Sequence, residues 1–159
     1  MVYEGELFCP VCGGTLKLYD HVMRMIKIQK GVKTYIYIRR LRCTKCGRVH
    51  RELPEHIIPH IHYDKAIVNG VLNGWISPDD LDYEDYPCEM TMHRWHHWLM
   101  KNTLRIDGYL RSVSHRLPGF SEELLMSGVP LLEMLRSSLY NWLETILRFI
   151  YDSGGFLVP

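Results

Sequence analysis

Two cysteine pairs constrain this chain more than any other feature. Cys9 and Cys12 stand in the run Cys-Pro-Val-Cys-Gly-Gly, and Cys43 and Cys46 stand in Cys-Thr-Lys-Cys-Gly, with 30 residues between the pairs. Two thiolates three residues apart can face one ion, and the glycine that follows permits the tight turn. Each pair is therefore predicted to supply half of a tetrahedral metal site.

The segment between the pairs has the alternation typical of β-strands. Residues 21–28 and 34–42 are predicted strands, and Gly31 suits the turn that joins them. Such a hairpin brings the two pairs together as a zinc ribbon with one structural Zn²⁺, closed to water by four sulfurs. A thioredoxin-like redox pair and an iron–sulfur site are the alternatives, and neither accounts for two pairs that bracket a hairpin.

The remaining cysteine and the histidines are interpreted as structural. Cys88 is left over from the pairs, and His50, His56, His60 and His62 are predicted to be polar residues of an extended connector, with a second metal site as the alternative. The chain has no apolar run of about 18 residues and no secretory pattern at its start. We therefore expect a cytoplasmic protein without a membrane segment.

The formal net charge of +1 conceals a segregation along the chain. Residues 1–52, 53–88, 89–117 and 118–159 carry +7, −6, +3 and −3, counting Lys and Arg against Asp and Glu. The basic blocks favour a surface that binds a polyanion, although mutual neutralisation of the blocks is an alternative. The cations predicted to contact phosphates are Arg39, Arg40, Arg42, Lys45, Arg48 and Arg51.

The next part of the chain has helical periodicity. A first helix is predicted over residues 67–75 with Gly74 at its end, a short second one from Ser77 to about Tyr83, and a long third one over roughly residues 89–113. This order is that of a helix-turn-helix, whose last helix enters the DNA major groove. The residues predicted to face DNA are Thr91 and Arg94 at base edges, His97 and Lys101 at phosphates, and Trp98 on the same face. A solvated amphipathic face is the alternative.

The last segment is predicted to form one apolar helix. A short helical turn is expected from Ser121 to Gly128, and then a helix of nearly 20 residues from Pro130. This helix either covers the third helix or, through residues 130–150, forms a homodimer or binds a protein partner. The predicted domains are a zinc ribbon (1–53), a helix-turn-helix (54–116) and a C-terminal helical segment (117–159), an α+β chain.

Several motifs resemble a known group of proteins. The cysteine runs, the stretch Arg-Arg-Leu-Arg-Cys-Thr-Lys-Cys-Gly-Arg-Val-His-Arg-Glu-Leu-Pro and the helix Thr-Met-His-Arg-Trp-His-His-Trp resemble an uncharacterised bacterial family with a zinc ribbon and a helix-turn-helix. That family is in turn similar to the N-terminal DNA-binding heads of insertion-sequence transposases. The resemblance spans roughly residues 7–100 and implies DNA binding. It differs at Cys88, where family members often have Ser.

The sequence thus predicts a zinc-dependent, non-enzymatic protein whose partner is double-stranded DNA. No strand-borne acidic triad is visible, so a transposition enzyme complete in itself is not expected. The alternatives are a zinc-stapled adaptor or inhibitor, which binds a protein through its C-terminal helix or its acidic segment, and an RNA-binding protein.

Overall fold

The computed structural model describes residues 7–80, 87–113, 128 and 130–158. Its contacts divide the chain into two compact units, Met1–Met92 and His93–Pro159. The described residues form a three-stranded antiparallel sheet followed by four helices, an α+β arrangement. The strands are β1 (Leu16–Lys27), β2 (Lys33–Cys43) and β3 (Val49–Arg51). The helices are α1 (Lys65–Leu72), α2 (Glu89–Val113), α3 (Leu131–Ser138) and α4 (Trp142–Asp152).

The predicted hairpin is confirmed and is the largest element of the first unit. β1 and β2 pair from Leu16 opposite Cys43 to Lys27 opposite Lys33, and β3 adds to the other edge of β2. A short 3₁₀ turn joins the two long strands, and Gly31 in it has a φ of 73°, a conformation that glycine adopts without strain. The register shifts between Leu18 and Asp20, which marks a bulge in β1.

One face of the hairpin packs on the segment that follows it. Ile26 and Ile38 on this face are buried, as is Ile58 of the following segment. The Arg24 guanidinium donates hydrogen bonds to the carbonyl oxygens of Ile58 at 2.9 Å and Ile61 at 2.7 Å. The chain from the ribbon to α1 is therefore held on the hairpin by both apolar contacts and hydrogen bonds.

Helix α1 matches the first predicted helix. The Asp64 carboxylate caps its start by accepting from the Ala66 N–H at 2.8 Å, and Gly74 lies just beyond its end with a φ of 76°. Pro78 and Asp79 form a turn. Residues 77–80 of the predicted second helix are therefore not helical, and its last residues, 81–83, lie outside the described residues.

Helix α2 has the predicted bounds, and one side of it is apolar. Its buried side chains are Met92, Trp95, Leu99, Ile106 and Leu110. Asn102 stands in the same stripe and is fully buried, because its side chain exchanges hydrogen bonds of 2.9 Å with the N–H and the carbonyl of Val158. Its amide also donates to the Trp98 carbonyl. A buried polar side chain thus fixes the C-terminal residues on α2.

The prediction of one C-terminal helix is wrong, since two shorter helices, α3 and α4, stand in its place. The hydroxyls of Ser137 and Ser138 donate to the Met134 carbonyl, and Leu139 is extended with φ −123° and ψ 124°. Serine hydroxyls compete with the backbone for helical carbonyls, which favours a break here. The predicted turn from Ser121 and the helix end at 117–119 lie outside the described residues.

The apolar faces of α3 and α4 are buried within this chain. Their buried side chains are Leu131, Leu132, Leu135, Trp142, Leu143, Ile146, Leu147 and Ile150. The Asp107 carboxylate of α2 accepts a hydrogen bond of 2.7 Å from the Leu131 N–H at the start of α3. This burial and this hydrogen bond agree with the predicted packing of the segment within the chain, and a homodimer or protein partner through residues 130–150 stays a prediction. In the ranges that the structure describes, no helix is both long and apolar enough to span a bilayer.

Candidate metal centre and cationic surface

The two cysteine runs fold into matching turns. In the first, the Gly13 N–H donates to the Cys9 carbonyl at 2.8 Å, and in the second, the Gly47 N–H donates to the Cys43 carbonyl at 3.1 Å. Gly13 and Gly47 both have left-handed backbones, with φ of 69° and 72°. Each turn therefore needs, directly after its second cysteine, a residue that tolerates a left-handed backbone, and glycine does so without strain.

The turns bring the four predicted ligands together. The Sγ atoms of Cys9, Cys12, Cys43 and Cys46 all lie within 4.8 Å of one another, so this cluster is able to hold a metal ion. The Cys12–Cys43 and Cys9–Cys46 sulfur separations are 3.4 and 3.8 Å, well beyond a disulfide bond of about 2.05 Å. Four sulfurs arranged tetrahedrally about 2.3 Å from one ion are separated by roughly 3.8 Å. The observed separations fit such an ion.

Backbone N–H groups lower the proton affinity of one sulfur. The N–H groups of Cys46 and Lys45 both lie 3.4 Å from the Cys43 sulfur and, the Cys46 N–H foremost, lower the pKa of this thiol to about 6. The pKa of Cys12 is raised to about 11, because burial and the neighbouring thiols outweigh the hydrogen bond from the Gly14 backbone, which lowers it. Of these two sulfurs, Cys43 is therefore the first to ionise.

Two residues that sequence reasoning did not assign to the site contact the cluster. The His50 Nε2 atom on β3 lies 3.3 Å from the Cys9 sulfur, within hydrogen-bond distance. Gly14 approaches so closely that an added Cβ would lie 2.9 Å from the Cys43 sulfur and 2.7 Å from the Lys45 Cβ. His50 could not be found from the sequence, because a long-range strand pairing places it here. Gly14 could have been found, because it is the second glycine of the run Cys-Gly-Gly.

Two of the predicted phosphate contacts are occupied by carboxylates. Arg39 makes a two-pronged ion pair with Glu52, including an Nη2–Oε1 hydrogen bond of 2.7 Å, and Arg40 pairs in the same way with Asp20. The Arg40 guanidinium holds the pKa of the Asp20 carboxyl below its usual range. Since Asp20 and Glu52 are the two acids between residues 7 and 52, both described carboxylates of the ribbon are neutralised locally.

Five other cations of the ribbon are exposed toward its metal-binding end. The sheet register places Lys17 opposite Arg42, and Arg51 opposite Arg40, so these side chains share one face. Arg42 lies over the Tyr19 ring, 5.7 Å from its centroid. We define the cationic surface as five exposed residues that have no ion pair with a described carboxylate: Lys17, Arg42, Lys45, Arg48 and Arg51. Lys17 was not predicted, because its position follows from the register.

One protein-family profile matches the chain, over residues 9–95, and it is described as a domain of unknown function, DUF6431. The match covers more than half of the chain. The chain belongs to the DUF6431 family. Comparison with curated proteins and comparison with solved structures gave no match. The DUF6431 match contains all four cysteines and the cationic surface, so the family shares the segment that forms the candidate metal centre.

The predicted DNA-facing residues lie on α2, at the end of the DUF6431 match and just beyond it. Arg94, His97 and Lys101 are exposed, and Thr91 and Trp98 are half-buried. They lie on the side of the helix away from the buried Met92, Trp95 and Leu99. Cys88 precedes the helix, with its sulfur 3.3 Å from the Thr91 hydroxyl. The helix thus presents a basic row to solvent. None of the residues in this row belongs to the cysteine cluster.

Proposed function

We propose that this protein is a zinc-dependent, non-enzymatic protein that binds double-stranded DNA. In this proposal the cationic surface of the ribbon contacts phosphates, and the exposed row of α2 enters the major groove within a helix-turn-helix. The single observation that carries the proposal is the charge arrangement of the ribbon, where both described acids are paired and the five cations of the cationic surface, together with Lys33, are left to face solvent.

Zinc is the metal that the cluster favours. Four thiolates with tetrahedral spacing form the usual structural zinc site, and this site leaves no position for a reacting water. A ribbon with few buried side chains gains most of its folding energy from the metal, about 10 to 16 kcal/mol in small zinc peptides. The zinc is thus assigned a structural role, and iron is the competing ion that a metal analysis would detect.

The cationic surface supports phosphate binding because its charges are held on a rigid support. Lys17, Arg42 and Arg51 project from paired strands, and Lys45 and Arg48 lie at the turn that the metal closes. Four thiolates and one Zn²⁺ add a charge of −2, which leaves the ribbon positive. A surface of this kind releases counterions from DNA without reading its sequence.

The exposed row of α2 supports sequence reading. Arg94 and Lys101 are separated by about two helical turns, roughly 10 Å, on a helix whose opposite side is packed. Arginine can donate two hydrogen bonds to guanine in the major groove, which makes Arg94 the residue assigned to specificity. The resemblance to transposase DNA-binding heads supports the same assignment.

The test uses the full-length, metal-loaded protein and a pool of random duplex DNA. The variants are Arg94→Glu and Lys101→Glu. The control is Arg148→Glu, which makes the same change of charge at an exposed position on α4. We expect wild type and Arg148→Glu to enrich the same sequence, Arg94→Glu to lose it, and Lys101→Glu to bind all sequences more weakly. Duplex binding that neither reversal on α2 changes would overturn the role of the helix, and no binding at low salt would overturn the function.

A further inference from the structure

We propose that the sheet face bearing Tyr35 and Tyr37 binds an unpaired nucleic-acid strand, whose bases stack on the two tyrosine rings. The inference shares one premise with the proposed function, namely that a bound metal keeps the ribbon folded. The added ligand is an unpaired strand, which the proposed duplex binding does not involve. The added site is the tyrosine face, which is distinct from both the cationic surface and α2.

The two tyrosines lie between cations along one strand. Every second residue of β2 points to the same side of the sheet, so one face carries Lys33, Tyr35, Tyr37 and Arg39. The residues opposite them on β1 are Lys27, Met25, Met23 and His21. Side chains directly opposite in an antiparallel pair are neighbours, so each ring has a methionine beside it. The face is thus aromatic and apolar at its centre, with Lys27 and Lys33 at one end and His21 with the ion-paired Arg39 at the other.

Among the described residues, the side chains at the centre of this face are not part of the core. Tyr37 is 74% exposed, Tyr35 58% and Met23 57%, whereas Ile26 and Ile38 on the opposite face are each 2% exposed. β-Strand sequences that pack on one side ordinarily place polar residues on the other. Here large rings and a thioether take those positions, and a contiguous exposed patch of this kind marks a binding surface.

The charge around the patch selects a polyanion as its occupant. Lys33 and His21 are exposed beside the tyrosines, and the Arg39–Glu52 pair adds no net charge. The ribbon as a whole carries an excess of positive charge. Aromatic rings with cations alongside are the combination by which proteins bind single strands, with bases on the rings and phosphates on the cations.

The spacing of the rings favours an unpaired strand over a duplex. Same-face residues on a strand are separated by two residue rises, about 6.6 Å, which is roughly twice the 3.4 Å between stacked bases. Two bases that each cover one ring must therefore be unstacked from each other. A duplex exposes only base edges in its grooves and cannot offer base faces to a flat sheet.

The experiment measures the fluorescence anisotropy of labelled oligothymidine and oligouridine, each of about 16 nucleotides, with the full-length, metal-loaded protein. The variants are Tyr35→Ala and Tyr37→Ala, and the matched controls are Tyr35→Phe and Tyr37→Phe, which keep the rings. Because both tyrosines are exposed, the alanine variants should fold, and metal content with circular dichroism verifies this. A labelled duplex is titrated alongside.

We expect each alanine variant to bind the single strand about tenfold more weakly, while the phenylalanine variants retain wild-type affinity. All four variants should keep duplex affinity. Failure of the wild type to bind either single strand at low salt, or equal affinity of the alanine variants and wild type, would overturn the inference. Single-strand binding that depends on the rings, together with no duplex binding, would refute the proposed function and leave this inference standing.

Discussion

Gly14 is the position where a single added methyl group should disturb the metal centre most. Its backbone does not require glycine for a left-handed conformation, but a Cβ there would lie 2.9 Å from the Cys43 sulfur and 2.7 Å from the Lys45 Cβ. Neither neighbour can swing away, because the sulfur is a candidate ligand and the Cβ is attached directly to the backbone. The Gly14→Ala variant must therefore move one cysteine turn away from the other.

The cost of that movement sets the expected loss of metal affinity. Overpacking a closely packed site costs about 1 to 3 kcal/mol. Since metal binding and folding of the ribbon are coupled, this corresponds to zinc affinity weaker by about 5- to 150-fold. Competition with a chromophoric chelator measures the affinity, and the absorption bands of the Co²⁺ form report the geometry of the four sulfurs.

Gly47→Asn is the matched control. Gly47 has a φ of 72° and open space where a Cβ would stand, and asparagine tolerates this conformation better than most residues. It should therefore retain affinity close to wild type. Wild-type zinc affinity and an unchanged Co²⁺ spectrum in Gly14→Ala would refute the close approach of the two cysteine turns.

Three further predictions test other contacts. His50→Ala removes the contact with the Cys9 sulfur and should weaken zinc binding about tenfold in the same chelator assay, and an unchanged affinity would exclude this role. Asn102→Ala leaves the backbone groups of Val158 unpaired and should lower the free energy of unfolding by about 2 to 4 kcal/mol. Calorimetry measures this loss, and an unchanged melting temperature would contradict it. Asp20→Asn releases Arg40, which shares a face with Arg42, and should steepen the salt dependence of duplex binding by about one phosphate contact; an identical slope would argue against Arg40 as a contact.

The local features of the fold were predictable because they leave periodic or spaced signals. The alternation around Gly31 predicted the hairpin, and the stripe through Met92, Trp95 and Leu99 predicted the bounds of α2. Paired cysteines predicted the cluster, since few arrangements use two such turns around a hairpin. The break between α3 and α4 was missed because the apolar pattern continues through it, while the serine hydroxyls that favour it act on single carbonyls.

The pairings between distant residues could not be predicted. Nothing in the sequence near Arg40 indicates that Asp20 neutralises it, and the bulge in β1 changes which side chains face each other. His50, predicted to be a connector residue, lies on β3 beside the Cys9 sulfur, and Lys17 was not predicted, since the positions of both depend on the register of the sheet. The helix-turn-helix, the transposase-like role and the DNA contacts remain predictions.

Duplex-DNA binding measured against salt concentration, with metal-loaded protein and with protein stripped by a chelator, tests the central proposal most directly. If the five residues of the cationic surface contact phosphates, the logarithm of affinity should fall with the logarithm of salt with a slope of about −4.5, and chelation should abolish binding. A metal-loaded protein that does not bind duplex DNA at low salt, or binding that neither salt nor chelation changes, would contradict the proposal.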